Sequence, residues 1–262
     1  MIYLDNAATT APDREAVEAA LKFLETDFYN PSALYRGGFS AHRAVEEARK
    51  NILSLIAPQG GYELVFTSSG SEADVQAVLS SVRRGNMVTT EGEHAAVYNT
   101  AKELAKRGTE VRFAKLNADG SVNEEDLLSK TDAQTALVSV IHVNNETGAI
   151  NDIGRLASCV KKAAPAALFH SDGVQAFGKI PFVLGRDIDF YSVSAHKIGG
   201  ARGAAALIRK KGSRLSPLIY GGGQENGLRS GTENTFAIKL FEYAAAKKFG
   251  NIHGDLERVR AL

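Results

Sequence analysis

One cysteine, six prolines and no long apolar run mark what this chain lacks. A lone Cys159 excludes an internal disulfide framework and suits a reducing cytoplasm. No stretch approaches the roughly 18 consecutive apolar residues that a bilayer-spanning helix needs. The opening Ile2-Tyr3-Leu4-Asp5-Asn6 has no basic flank and only a short apolar stretch, so it does not read as a secretory signal. No charge predominates: 31 basic against 30 acidic residues leave a net charge of +1, which gives no general attraction to nucleic acid or an anionic membrane. Repeats, charge blocks and an evident linker are missing too.

What remains is a 262-residue chain, 44% hydrophobic and 23% charged, a composition that supports an ordinary packed core. Short β-branched or apolar runs predict strands at 63–67, 86–90, 110–114, 135–142, 167–171, 188–193 and 204–208. Amphipathic patterns predict helices at 13–26, 40–56, 71–82, 95–107, 123–130 and 153–164. Alternation of this kind predicts an α/β fold with a mainly parallel sheet between helices. Ligands of such sheets bind at the carboxyl ends of the strands, so the chemistry is expected just after those runs.

Three clusters follow strands. Ser68-Ser69-Gly70-Ser71-Glu72-Ala73-Asp74 follows the 63–67 run, and small residues at a strand-to-helix turn let backbone N–H groups approach an anion. An ordinary serine N-cap explains the same residues; neither a nucleophile elbow nor a P-loop is spelled out. His170-Ser171-Asp172-Gly173-Val174-Gln175 places a carboxylate at a strand end, where it can hold a pyridinium nitrogen protonated, with Gln175 able to donate to a phenolate oxygen. A simple helix cap is the alternative reading of Asp172. Tyr191-Ser192-Val193-Ser194-Ala195-His196-Lys197 sets a lysine at a strand end. Partial desolvation there lowers its amine pKa and favours a Schiff base with an aldehyde. A lone lysine is usually just a solvated loop residue; its spacing from Asp172 and the preceding phosphate-type turn argue otherwise. The remaining histidines, His42, His142, His170 and His253, show no metal-ligand spacing, and no metal site is expected.

Here the sequence resembles a known family. Leu4 to Thr10, Asn30-Pro31-Ser32, Thr67 to Glu72, Glu93-His94, Val143 to Gly148, Asp172 to Lys179 and Ser194 to Lys197 resemble the class V aminotransferases. Gly221-Gly222-Gly223-Gln224-Glu225 and Leu228 to Asn234 narrow the resemblance to the cysteine desulfurases, in their housekeeping or nitrogen-fixation form. The resemblance implies a fold type I large domain with a seven-stranded sheet and pyridoxal 5'-phosphate (PLP) as cofactor. It further implies that Lys197 carries the cofactor, Asp172 pairs with the pyridine nitrogen, Gln175 touches the phenolate oxygen, and His94 stacks on the ring and helps move protons. Gly70, Ser71, Ser194 and His196 would hold the phosphate, Asn145 would lie near the ring, and Thr232 would reach the phosphate of the other subunit of a homodimer.

The implied reaction turns L-cysteine and an acceptor thiol into L-alanine and a persulfide, for iron-sulfur cluster assembly or other sulfur transfer through an acceptor or scaffold protein, in the cytoplasm. Another class V transaminase or lyase, and a PLP-binding but catalytically impaired fragment, are the alternatives. The resemblance divides the chain into an N-terminal segment, 1–14, that would join a small domain; a large PLP-binding domain, 15–245; and the start of a linking helix, 246–262. Relatives continue into a small domain that supplies the persulfide cysteine and a carboxylate-binding arginine, so slow turnover is expected of residues 1–262 alone. Two departures stand out. Ser69-Gly70-Ser71 replaces the commoner Gly-Ala-Thr, and the glycine-rich Ile198 to Gly203 suggests a loose loop. Cys159, beside the apolar stripe of its helix, is expected to be a buried structural thiol.

Overall fold

The computed structural model describes residues 2–261. Met1 and Leu262, the outermost residues of the two expected terminal segments, lie outside the described residues. Seven strands form one sheet: β1 (Tyr62–Thr67), β2 (Asn86–Thr90), β3 (Val111–Ala114), β4 (Thr135–Ser139), β5 (Leu168–Asp172), β6 (Phe190–Ser194) and β7 (Ala205–Lys210), in the order β1-β7-β6-β5-β4-β2-β3. The pairings from β6 through β5, β4 and β2 to β3 are parallel, and only β7 runs against both of its neighbours. The mainly parallel seven-stranded α/β sheet expected from the sequence is therefore present.

Alternation along the strands sends side chains to two different cores. Leu64 and Phe66, Val88, Val138, Tyr191 and Val193, and Ala206 and Ile208 face one large cluster. Their neighbours Val65, Met87, Leu137, Phe190 and Leu207 face the other side. Both faces being buried explains why these strands read as continuous apolar runs. Helices α4 (Gly70–Ser81) and α5 (Ala95–Lys106) cover the second face, supplying Val78, Val97 and Ala101. Helices α3 (Arg36–Ile56), α7 (Ile153–Ala163) and α8 (Thr235–Gly250) supply Ile52, Leu156 and Phe241 to the first. The chain also forms α1 (Arg14–Ala20), the one-turn α2 (Lys22–Glu25), α6 (Glu124–Ser129) and α9 (Ile252–Arg260).

The differences from expectation have local causes. The helix expected over 13–26 breaks at Leu21 into α1 and α2. Strand β4 ends at Ser139 rather than 142 because the Ile141 N–H is taken by the Glu93 carboxylate at 3.0 Å. Helix α8 has no polar stripe to betray it: Lys239 and Glu242 are buried along with its apolar residues, paired to one another, and Asn51 donates to Glu242 at 2.6 Å.

A second internal pair holds the segment that follows β7. Arg49 on α3 forks onto Glu225 at 2.6 and 2.8 Å, and the Phe66 N–H donates to the same carboxylate at 2.8 Å. Glu225 sits in the left-handed backbone region, φ 50°, a conformation that costs about 1–3 kcal/mol and persists only where surroundings over-determine it. Removing the guanidinium in Arg49→Ala strands a carboxylate that is 2% exposed. The expected loss is about 3 kcal/mol of unfolding free energy, read from the midpoint of urea denaturation; a change within about 0.5 kcal/mol, the range of a neutral surface substitution, would show the pair to be incidental.

Candidate active site

The carboxyl ends of β5 and β6, with the turns that leave β1 and β2, surround a crevice of about 480 Å³. Gly70, Ser71, His94, Asn145, Asp172, Gln175, Ser194, His196 and Lys197 all line it. Of the residues singled out from the sequence, Thr232 alone lies elsewhere, in a smaller hollow of about 200 Å³ beside Thr67, Arg229 and Asn234.

At one end of the crevice, α4 begins at Gly70, with Ser69 as its cap accepting the Glu72 N–H at 3.1 Å. The helix start is packed so closely that a Cβ on Gly70 would lie 2.8 Å from Val174 Cγ2. Glu72 faces away and grips Arg229 at 2.9 Å, which ties the Arg229–Thr232 run to the helix start. Ser194 ends β6, and His196 follows in a 3-10 turn with its Nδ1 3.1 Å from Thr9 Oγ1. Burial and the neighbouring Lys197, Arg202 and Lys179 charges lower the His196 pKa. Helix start, serine hydroxyls and imidazole together form a cradle of donors for an anion.

At the centre stands Asp172, 3% exposed. One of its oxygens accepts the Val174 N–H at 2.9 Å, and no lysine or arginine is bonded to it among the described residues. Burial and the nearby Asp74 raise its pKa, against the pull of the Val174 N–H, His94 and His170. Gly173 is required here: a Cβ would fall 1.9 Å from Cζ of Tyr191, whose hydroxyl meets His142 Nδ1 at 2.9 Å. Beneath lie His142 and His170, both pushed down to about 4 by burial and hence neutral. Both imidazoles are packed inside the protein.

Among the described residues Lys197 has no carboxylate partner. Its Nζ donates to the carbonyls of Ala7 and Ala8 at 2.5 and 2.8 Å, and burial lowers its pKa. Gln175 donates to the Ala7 carbonyl at 2.8 Å and accepts from Lys179 Nζ at 2.6 Å, so its amide orientation is fixed by both neighbours. Lys179 is itself pulled down to about 8 by burial and by Lys197 and Lys248. His94 caps α5 with Nδ1, accepting the Ala96 N–H at 3.2 Å, which leaves its other nitrogen to carry a proton.

The glycine-rich 198–203 loop is less free than its composition suggests. Thr10 donates through N and Oγ1 to the His196 carbonyl, at 2.9 and 2.8 Å, and accepts the Gly199 N–H at 2.8 Å, while Asp13 N donates to the Gly199 carbonyl at 2.7 Å. Any side chain on Gly200 would come within 2.7 Å of Ala195 Cβ. The expectation of a loose loop is therefore corrected: the N-terminal segment stitches it down. Cys159 also differs in degree, being half-buried with Sγ 3.7 Å from Glu124 Oε1 rather than sealed in the core. Two residues that fall inside the quoted motifs, Asp74 and Lys179, were given no role by sequence reasoning. Asp74, 1% exposed, lines the crevice, and the i+4 spacing from Gly70 was the available signal. Lys179, four residues after Gln175, had the same kind of signal.

Comparison with known proteins gives consistent results. The family model for class-V aminotransferases matches residues 2–254. A cysteine desulfurase of Cereibacter sphaeroides is 41% identical over 99% of this chain and 68% of its own length. One from Bradyrhizobium diazoefficiens is 42% identical over 100% of this chain and 67% of its own. Among solved structures, a NifS-like protein superposes with a TM-score of 0.92 at 34% identity, covering 97% of this chain and 71% of that one. DndA from Streptomyces lividans does so with 0.83 at 33% identity, over 97% and 74%. The chain thus spans about two thirds of the length of the desulfurases it matches.

Glu93, next to His94, generates a pH prediction. It is 8% exposed, accepts from Thr90 Oγ1 and the Ile141 N–H, and is pushed up to about 8 by burial. A carboxyl with a raised folded pKa stabilises below its ordinary pKa, and that contribution drains away as pH rises through the folded value. Glu93→Gln carries no such dependence. The variant should therefore gain on the wild type between about pH 5 and pH 8 and run parallel to it above. Unfolding midpoints measured across that range check this; a gap constant with pH would contradict it.

Proposed function

This chain belongs to the class-V aminotransferase family, and we propose that it acts there as a PLP-dependent cysteine desulfurase, converting L-cysteine and an acceptor thiol into L-alanine and a persulfide. The observation that carries the reading is the single crevice in which a lysine amine held by two carbonyls, a buried carboxyl and a helix-start cradle of small residues lie together. The donor set fits the cofactor on three counts. Among the described residues Lys197 Nζ is held only by carbonyl oxygens and Asp172 lacks a bonded cation, and at Gly70 a Cβ would lie 2.8 Å from Val174 Cγ2.

Lys197 would hold the cofactor through its amine, Asp172 its ring nitrogen and Gln175 its phenolate oxygen. His94 would lie on the ring, with Asn145 nearby. Gly70, Ser71, Ser194 and His196 would hold the phosphate, and in a homodimer Thr232 would serve the other subunit's phosphate from its separate hollow. When bound, PLP supplies an aldehyde for the substrate amine and an electron sink for bonds at the substrate's α and β carbons.

The chain's own groups do the rest. Burial lowers the Lys197 pKa, which favours the neutral Nζ that can take the substrate Cα proton. The second nitrogen of His94 is the other site for proton transfer. An acceptor thiolate attacks the substrate sulfur: its S–S bond forms as the substrate's C–S bond breaks, and the carbon left behind gains a proton to give alanine. Cys159 lies on α7 and is not among the residues lining the crevice, so the accepting thiol is a different one, on a sulfur-acceptor protein or another segment. Among the described residues no helix is long and apolar enough to cross a membrane, which is compatible with the proposed cytoplasmic setting.

Two measurements test this. PLP-loaded protein given L-cysteine and a small thiol should form L-alanine and transferred sulfur in equal amounts. Pyruvate with ammonia would indicate a lyase, and pyridoxamine phosphate a transaminase. Cys159→Ala should leave the rate unchanged; loss of alanine formation in that variant would contradict the placement of Cys159 outside the chemistry.

A further inference from the structure

Asp74 has no assigned task in this site, yet its carboxyl is among the most deeply buried charged groups of the molecule. It lies one turn into α4 and is 1% exposed. One atom each of Asp74, His94 and Asp172 lie within 4.8 Å of one another. Asp74 Oδ1 has no hydrogen-bond partner among the described residues. The nearest basic nitrogen is His170 Nε2, at 3.5 Å. That imidazole is already engaged with Ser192 Oγ at 3.1 Å and, through Nδ1, with Ser139 Oγ at 2.8 Å.

The groups packed around the pair leave it short of positive charge. From β5 come His170 and Asp172, from β6 the Ser192 hydroxyl, and from the turn after β2 Glu93 and His94. Glu72 on α4 is committed to Arg229. Lys197 acts on Asp172 and Asp5. Two carboxyls this close in a dry site cannot both ionise without a cation between them. Burial accordingly raises the pKa of both.

The surroundings decide which one keeps the proton. Asp172 accepts the Val174 N–H, and His94, His170 and Lys197 favour its charged form against the nearby Asp74. Asp74 has the Ser192 hydroxyl, and the His170 Nε2 3.5 Å away is already engaged with Ser192. We propose that Asp74 is held as a neutral carboxylic acid, so that the pair carries one negative charge and Asp172 bears it. Asp74 is then a positioning residue: without touching the cofactor, it keeps Asp172 a singly charged acceptor for the ring nitrogen. Its functional meaning rests on the PLP reading of the site, but the protonation state is a property of this chain with or without the cofactor.

Isotope-edited infrared spectroscopy on the full chain, carboxyl-labelled at aspartate, separates the two statements. Aspartate labelling also removes the Glu93 signal from view. At neutral pH, with and without PLP, the wild type should show the carbonyl stretch of a protonated aspartic acid. Asp74→Asn should lose it and Asp172→Asn should keep it. No such band in the wild type, or a band lost in Asp172→Asn and kept in Asp74→Asn, overturns the assignment. PLP affinity, followed by cofactor absorbance, should stay within about threefold for Asp74→Asn but fall more than about tenfold for Asp172→Asn, the cost of one charge-assisted hydrogen bond. A larger change in Asp74→Asn, in either direction, also overturns it. Failure of the wild type to take up PLP would instead sink the cofactor reading, while the infrared bands still decide where the proton lies.

Discussion

A carboxyl group buried at the end of β5, with no lysine or arginine bonded to it among the described residues, is the constraint around which the rest is arranged. Burying a charge costs several kcal/mol unless something compensates it, and a parallel sheet alone cannot provide that. The polar groups facing Asp172 include the Val174 N–H, which donates to it, and His170, held below its ordinary pKa by burial. The crevice leaves room beside the carboxyl for a cationic ring. On the proposed reading, a bound pyridinium would supply the positive charge that the protein itself does not place beside this carboxyl.

The second constraint is mechanical. Lys197 sits after β6 on a 3-10 turn, in a loop whose glycines allow backbone to approach backbone. The segment from Ala7 to Asp13 provides what the sheet lacks there, hydrogen bonds from Thr10 and Asp13 and carbonyls for the lysine amine. A stretch far from Lys197 in sequence therefore holds it where Asp172 and the helix start of α4 can serve the same small molecule. Preorganisation of this kind places reacting groups before the substrate arrives.

Much of this was legible in the sequence, and the reasons differ by feature. The strands were visible because both faces of the sheet are buried, which makes each a short apolar run. Asn86–Thr90 is a case where run and strand coincide. Asp172 and Lys197 could be picked out because they close such runs. Helix α8 was not, because burial of Lys239 and Glu242 removes the polar stripe on which periodicity depends. Asp74 and Lys179, quoted within motifs, were given no role for a related reason. Each lies one helical turn or its equivalent beyond a residue that was noticed, and which polar side chains a helix start turns inward is decided by packing across the sheet. The stitching of the 198–203 loop depends on Thr10, some 190 residues away in sequence, which no local pattern reveals.

The central claim is that one crevice at the strand ends holds PLP through Lys197. It is tested most directly by loading the protein with PLP, reducing with borohydride and mapping the labelled peptide. A pyridoxyl group on Lys197, and none after Lys197→Ala, is the predicted result. Label on Lys179 or any other lysine, or no label on protein that remains folded, would contradict it.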